Sequence, residues 1–151
     1  MRSEMVNIVV EAEVKPTEDV DKVLKAITTI IDPESIETVN LGKSTVIVAK
    51  SKNIVSLAKL HRLLRLERIL DTARSIMRQG VQENKTVFYI HKQASYMGKV
   101  SFVSGDHESP LGAIKVIIES SNIYNVIDCL APQTSKGRLL RDYSIYECRE
   151  A

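Results

Sequence analysis

A change of hydrophobic period within the first 31 residues constrains the fold of this chain most strongly. From Met5 to Lys15 the chain places an apolar residue at every second position, the pattern of a strand with one buried face. Pro16 ends this pattern, and Val20 to Ile31 then follows the spacing of an amphipathic helix. Because strand and helix follow one another so closely, we expect a core built from both.

The rest of the sequence contains further segments with the strand pattern and with the helix pattern. A helix from Ser56 to Gln79, ended by a left-handed cap at Gly80, and a shorter one from Ser121 to Leu130 are predicted from helical spacing. Strands are predicted at 36–41, 45–49, 86–90, 100–103, 113–119 and 143–148, the first two forming a hairpin around Gly42. We therefore predict an α+β fold, a two-layer sandwich whose mixed or antiparallel sheet is covered on one face by two main helices.

Composition narrows the class of protein. The 151 residues, 44% hydrophobic and 26% charged, suit one soluble domain over residues 1–151. No apolar run is long enough to span a bilayer, and the N-terminus lacks a signal-peptide pattern, so we expect a cytoplasmic protein without membrane contact. Cys129 and Cys148 are expected to be reduced thiols, with a disulfide only if the fold brings them together.

The candidate motifs for catalysis or metal binding do not have the residue spacing that such sites require. Gly42-Lys43-Ser44 resembles the end of a P-loop, but Glu37 stands where the first glycine belongs and a strand follows instead of a helix. The acid, imidazole and hydroxyl groups crowded between Gly105 and Ser109 are better explained as a turn before Pro110. The histidines are scattered, so we expect no metal, no cofactor and no catalysis.

The predicted long helix carries a cationic flank. Residues 59–80 have a net charge of +4. One flank of the helix holds no acid and consists of His61, Arg65, Arg68, Thr72 and Ser75. Arginine offers planar, bidentate donors to phosphate, so this flank suits contact with a nucleic-acid backbone. The alternative is an ordinary solvated face whose arginines pair with acids elsewhere, such as Glu11 or Glu13.

Two further clusters have a similar character. Lys92, Gln93, Tyr96 and Lys99 mix cationic, amide and aromatic groups in a short connection, as single-stranded RNA recognition requires. The stretch from 134 to 141 adds Lys136, Arg138 and Arg141 around a glycine, in the manner of a basic arm. The alternatives are a polar loop with a structural tyrosine and a mobile solvated loop.

Several phrases taken together resemble a known family. They are the segments 68–74, 88–102, 110–116 and 128–134, of which FYIHKQASYMGKVSF is the most specific. They resemble a small archaeal family of uncharacterised proteins described as predicted RNA-binding or exosome-associated. The resemblance implies a two-layer fold like that of the ribosomal protein that binds 5S rRNA. Lys92, Gln93, Gly98 and Lys99 match the family's central phrase, whereas His91 and Ser95 depart from it.

Two functions of different classes follow. The first is a non-catalytic RNA-binding protein, associated with RNA processing or degradation machinery. Its predicted contacts are Arg65, Arg68, Lys92 and Lys99 on phosphates, Gln93 and Tyr96 on bases or sugars, and Lys136 and Arg138 on the basic arm. The second is a structural or adaptor subunit that acts in a protein complex or as a homodimer.

Overall fold

The strands of this protein form one large antiparallel sheet and a small hairpin. The computed structural model describes residues 6–105, 112–135 and 138–150. The large sheet has the order β2-β3-β1-β7-β5-β4, and β6 also pairs with β5. Its strands are β1 (Asn7–Val14), β2 (Ser35–Asn40), β3 (Thr45–Ser51), β4 (Val81–Gln82), β5 (Lys85–His91), β6 (Phe102–Val103) and β7 (Ala113–Glu119). The hairpin joins β8 (Thr134–Ser135) to β9 (Arg138–Leu139).

One face of the large sheet is buried. Ile8 and Val10 of β1 lie in register with Ile118 and Val116 of β7, and all four side chains are almost completely buried. The helices that cover this face are α1 (Val20–Thr28), α2 (Ala58–Leu66), α3 (Leu70–Gln79), α4 (Lys92–Tyr96) and α5 (Ile123–Leu130). The predicted α+β fold is confirmed, with the sheet antiparallel and with more helices than the two main ones expected.

The long helix predicted from Ser56 to Gln79 is wrong. A 3₁₀ turn (Ile54–Leu57) precedes α2, and the helix breaks between α2 and α3, where Arg68 adopts a left-handed backbone conformation with a φ of 57°. The Glu67 carboxylate accepts a hydrogen bond of 3.0 Å from the backbone N–H of Val100, which ties the end of α2 to the chain after α4. This tertiary contact and the local backbone at Arg68 override the continuous apolar spacing.

The left-handed cap predicted at Gly80 is also wrong. Gly80 has a φ of −84°, and its backbone packs directly against β5. A side-chain Cβ at this position would collide with the carbonyl oxygen of Val87. Glycine is needed here for close approach of backbone to backbone, a second use of glycine that spacing does not reveal.

The C-terminal segment departs from the sequence prediction twice. Residues 143–148 form no strand; a turn and a 3₁₀ helix (Glu147–Glu150) stand there instead, with Ile145 and Cys148 buried. Cys148 forms a disulfide with Cys129 of α5, so the prediction of reduced thiols is wrong. The fold brings the two Cα atoms to 5.5 Å, within the normal range for a disulfide.

Candidate nucleic-acid interface

Arg65 is held by contacts within the protein. Its Nη2 lies 2.7 Å from Oδ1 of Asp142, and its Nη1 donates to the carbonyl oxygens of His61 and Leu130 at 2.9 and 3.0 Å. The side chain is only 17% exposed. The structure therefore places this predicted phosphate contact in a bridge between α2, α5 and the C-terminal segment. The partner is Asp142, not Glu11 or Glu13, which lie on the opposite face of the sheet.

His61 belongs to the same bridge. Its Nε2 lies 2.7 Å from the carbonyl oxygen of Tyr143 and is assigned as the donor. Burial lowers the pKa of His61, and the charge of Arg65 adds to that effect. For Asp142, burial raises the pKa, but the hydrogen bonds from Arg65 and from the backbone N–H of Tyr143, together with the charge of Arg65, outweigh burial and hold the pKa below its usual value. A neutral imidazole and an ionised carboxylate therefore hold the C-terminal segment against α2.

Arg68 differs from Arg65, because its side chain is exposed at the break between α2 and α3. It lines a cleft of about 250 Å³ together with Arg65, Leu70, Asp71, Thr134 and Leu139. Within residues 6–105, 112–135 and 138–150, no acid pairs with Arg68. Arg68 is thus a cation open to an external anion.

The acids nearest this cleft are already engaged. Asp71 accepts a hydrogen bond from the hydroxyl of Thr134, and Asp128 pairs with Arg74 at 2.7 Å. Glu67 binds the backbone of Val100. Arg74 of α3 is thus paired with an acid of α5. None of these three acids forms an ion pair with Arg68.

The β8–β9 hairpin and the residues after it carry two more exposed arginines, Arg138 and Arg141. Thr134 and Leu139, which face each other in the hairpin, line the cleft of Arg68, and Arg138 is the exposed neighbour of Leu139. Arg141 follows and lines a separate cleft with Arg74 and Asp128, and its guanidinium lies 4.8 Å from the ring centre of Tyr143. We call Arg68, Arg138 and Arg141 the arginine surface. Arg141 belongs to the predicted basic stretch, but it was not among the residues assigned an RNA contact. Lys136 lies outside the described residues.

The other predicted residues gather at a second cleft, between α1 and α4. Lys92, Gln93 and Tyr96 line this cleft of about 290 Å³ together with Thr17, Glu18, Asp19, Lys22 and Val23. Lys92 is buried, and its Nζ donates to Oε1 of Glu18 at 3.0 Å and to the carbonyl oxygen of Glu13 at 2.7 Å. The segment that was expected to be a loop is thus a short helix. The buried side chain of Lys92 forms part of the inner wall of the cleft.

Lys99 connects the two regions. It is exposed and directly precedes Val100, whose N–H binds Glu67, the residue before Arg68. Lys99 and Arg68 therefore lie at one junction, where the chain after α4 meets the break between α2 and α3. The chain that follows the second cluster thus contacts the α2–α3 break, whereas Arg65 and Lys92 make their contacts inside the protein.

Neither a metal centre nor a membrane segment is found within the described residues. No group of three or more His, Cys, Asp or Glu side chains in the described ranges is arranged to hold a metal ion. No helix of the described chain combines the length and apolar character needed to cross a bilayer.

Comparisons with a family model and with relatives of known sequence agree on the family of this chain. A family model described as RNA binding matches residues 7–120, from β1 to the end of β7. A UPF0201 protein of Aeropyrum pernix is 52% identical over 134 residues, covering 88% of this chain and 89% of the relative. One of Saccharolobus solfataricus is 48% identical over 138 residues, covering 91% and 95%. The chain belongs to the UPF0201 family. The archaeal resemblance noted in the sequence is confirmed.

Solved structures of the UPF0201 family share the fold. The crystal structure of a UPF0201 protein from Methanococcus jannaschii has a TM-score of 0.79 and 35% identity, covering 89% of this chain and 99% of that chain. A DUF54 protein from Methanothermobacter thermautotrophicus, at 18% identity and a TM-score of 0.56, shares the fold alone. The family match includes Arg68 and the α1–α4 cleft and ends before the β8–β9 hairpin.

Proposed function

We propose that this protein binds RNA without catalysing a reaction on it, and that the arginine surface contacts the phosphates. The observation that carries the proposal is the state of Arg68, which is exposed, without an acidic partner among the described residues, and in a left-handed backbone conformation. That conformation costs an L-residue about 1–2 kcal/mol, whereas glycine adopts it freely. Because the Arg68 side chain forms no ion pair with the described residues, a strained position of this kind is better explained by contact with an external ligand.

The chemistry of the surface supports phosphate as the ligand. Arginine presents planar donors that bind two phosphate oxygens at once, and the three members of the surface are all arginines. Of the nearby acids, Asp128 is paired with Arg74, and Asp71 accepts a hydrogen bond from the hydroxyl of Thr134, so neither forms an ion pair with Arg68. The description of the family model as RNA binding supports RNA as the source of these phosphates.

The biological setting is part of the proposal. We place the protein in the cytoplasm, in association with machinery that processes or degrades RNA, where it would contribute binding and leave the chemistry to others. Co-purification of tagged protein from an archaeal host, with and without nuclease treatment, would separate partners held by RNA from those held by protein contacts.

Titration of RNA binding against salt tests the proposal. The expected result is an affinity for structured RNA that falls linearly on a log–log plot against salt. The double variant Arg68→Gln/Arg138→Gln should lose about tenfold in affinity and reduce the salt slope by about two, since each lost phosphate contact removes about one.

A matched control is available at two exposed hairpin turns. Lys43→Gln/Lys85→Gln removes the same charge at the β2–β3 and β4–β5 turns and should leave binding close to that of the unmodified protein. An equal loss in both double variants would mean that only net charge matters, and absence of RNA binding by the unmodified protein would end the proposal.

A second function, that of an adaptor subunit, is favoured by the uncovered face of the sheet. Val9, Ile117 and Val87 lie side by side across β1, β7 and β5 on this face and are only half-buried. An apolar row of this kind suits a protein partner or a second copy of the chain. Sedimentation of the unmodified protein and of Ile117→Lys distinguishes this function, because the lysine would dissociate a dimer formed through this face.

A further inference from the structure

The α1–α4 cleft has features that a phosphate-binding surface does not require. Its volume of about 290 Å³ is at the small end of ligand pockets, which commonly measure about 300–1,000 Å³. It is lined by residues from the start of α1 and from α4, and it is separate from the cleft of Arg68. A cleft of this size suits one small planar group more than a stretch of nucleic-acid backbone.

The buried charged side chains on the inner wall of this cleft have no net charge. Lys92 and Glu18 form a buried ion pair of 3.0 Å, with side chains 5% and 10% exposed. The Glu18 carboxylate also accepts the backbone N–H of Lys15 at 2.9 Å. Because the buried charges cancel, this wall offers no site for a doubly charged phosphate and is compatible with a neutral heterocycle.

The rim of the cleft carries lysines beside an aromatic ring, together with Asp19, whose carboxylate caps α1 through the N–H of Asp21. The Nζ atoms of Lys25 and Lys22 lie 4.6 and 5.9 Å from the ring centre of Tyr96. Both lysines are exposed on α1, and both are free of acidic partners among the described residues. Their charges at the rim suit phosphates of a chain that passes the cleft, and the half-buried tyrosine ring suits a base.

Gln93 supplies the group that reads a base edge. It is exposed, lines the cleft, and its amide makes no hydrogen bond to any described residue. The hydroxyl of Thr17 lines the cleft from the α1 side. An amide with both donor and acceptor atoms, beside an aromatic ring, is the chemistry with which proteins recognise unpaired bases.

We infer that the α1–α4 cleft binds one unpaired nucleotide, with its base beside Tyr96 and Gln93 and its phosphate at Lys22 and Lys25. The inference deepens the proposed function and rests on it. The nucleotide belongs to an RNA strand whose paired part lies on the arginine surface, since the chain that leaves α4 contacts the α2–α3 break through the hydrogen bond from Val100 to Glu67. This protein would then favour RNA in which paired and unpaired regions meet.

Three RNAs that differ in one feature test the inference. The first is a blunt-ended duplex of two strands, and the other two are the same duplex with a short single-stranded extension at the 5′ end or at the 3′ end. The unmodified protein should bind one extended form about tenfold more tightly than the blunt form, a gain typical of one stacked and hydrogen-bonded base. Lys22→Ala/Gln93→Ala should abolish this gain and leave blunt binding unchanged.

The β4–β5 hairpin provides a matched control, because Lys85→Ala/Gln82→Ala removes the same two side-chain types at exposed positions and should keep the gain. Equal binding of all RNAs by the unmodified protein would overturn the inference and leave the arginine surface intact as a proposal. Binding of no RNA would overturn both. Free nucleoside monophosphate that bound the cleft tightly, with no gain for extended RNA, would identify a free nucleotide as the ligand and also overturn the inference.

Discussion

Arg68 combines backbone strain with an exposed charge, and at the residue scale these two properties can be separated by substitution. Its φ of 57° is unfavourable for arginine, and its guanidinium pairs with no acid in the described chain. The sequence showed that this residue is basic but not that its backbone interrupts a helix. Neighbouring residues continue the apolar spacing, so no local signal marks the break.

Replacing Arg68 with glycine should therefore affect folding and binding in opposite directions. Arg68→Gly relieves the left-handed strain, which offsets the greater flexibility of glycine in the unfolded chain. We expect the free energy of unfolding to stay level or rise by up to about 1 kcal/mol, as measured by urea unfolding. RNA affinity should fall several-fold. A variant that gained stability and bound RNA as before would show that the Arg68 side chain has no role in binding.

The C-terminal segment, at the scale of elements, is anchored by contacts that join residues far apart in sequence. Arg65 binds Asp142, His61 binds the carbonyl of Tyr143, and Cys148 is bonded to Cys129. None of these pairs could be derived from spacing, because they depend on how α2, α5 and the segment after β9 come together. The strands, by contrast, were predictable, since one-sided burial produces alternation such as that of residues 6–14.

The bridge predicts that Arg65 acts on stability. Arg65→Gln would leave Asp142 without its cation and the Leu130 carbonyl without a donor, so the free energy of unfolding should fall by about 1–3 kcal/mol. The RNA affinity of the protein that remains folded should change less than in Arg68→Gly. A stable Arg65→Gln variant with strongly weakened RNA binding would instead place Arg65 at the interface.

His61 predicts how the bridge responds to acid. Because burial and Arg65 depress its pKa in the folded state below the ordinary value of 6.5, the unfolded chain takes up the proton first as pH falls. Stability is then fully present above about pH 6.5 and declines below it, with a slope of up to about 1.4 kcal/mol per pH unit. His61→Gln, which keeps an N–H donor but cannot titrate, should lose this part of the pH dependence in urea unfolding. An identical pH profile for both proteins would contradict the assignment.

At the scale of the whole molecule, the chain separates its charges. Residues 1–40 contain 4 basic and 9 acidic residues, a net charge of −5, and residues 41–151 have a net charge of +7. Within the described structure the acidic portion forms β1, α1 and β2, whereas the arginine surface belongs to the α2–α3 break and the hairpin that follows α5. The sequence shows this charge asymmetry, but only the fold shows which elements carry each charge. Such separation gives an RNA one preferred direction of approach.

Mapping amide chemical shifts of the isotope-labelled protein during titration with RNA tests this account most directly. The predicted result is a continuous set of perturbed amides at the α2–α3 break, the β8–β9 hairpin and the α1–α4 cleft, with the uncovered sheet face around Val9 and Ile117 unchanged. Perturbations confined to that sheet face, with Arg68 and its neighbours unaffected, would contradict the account.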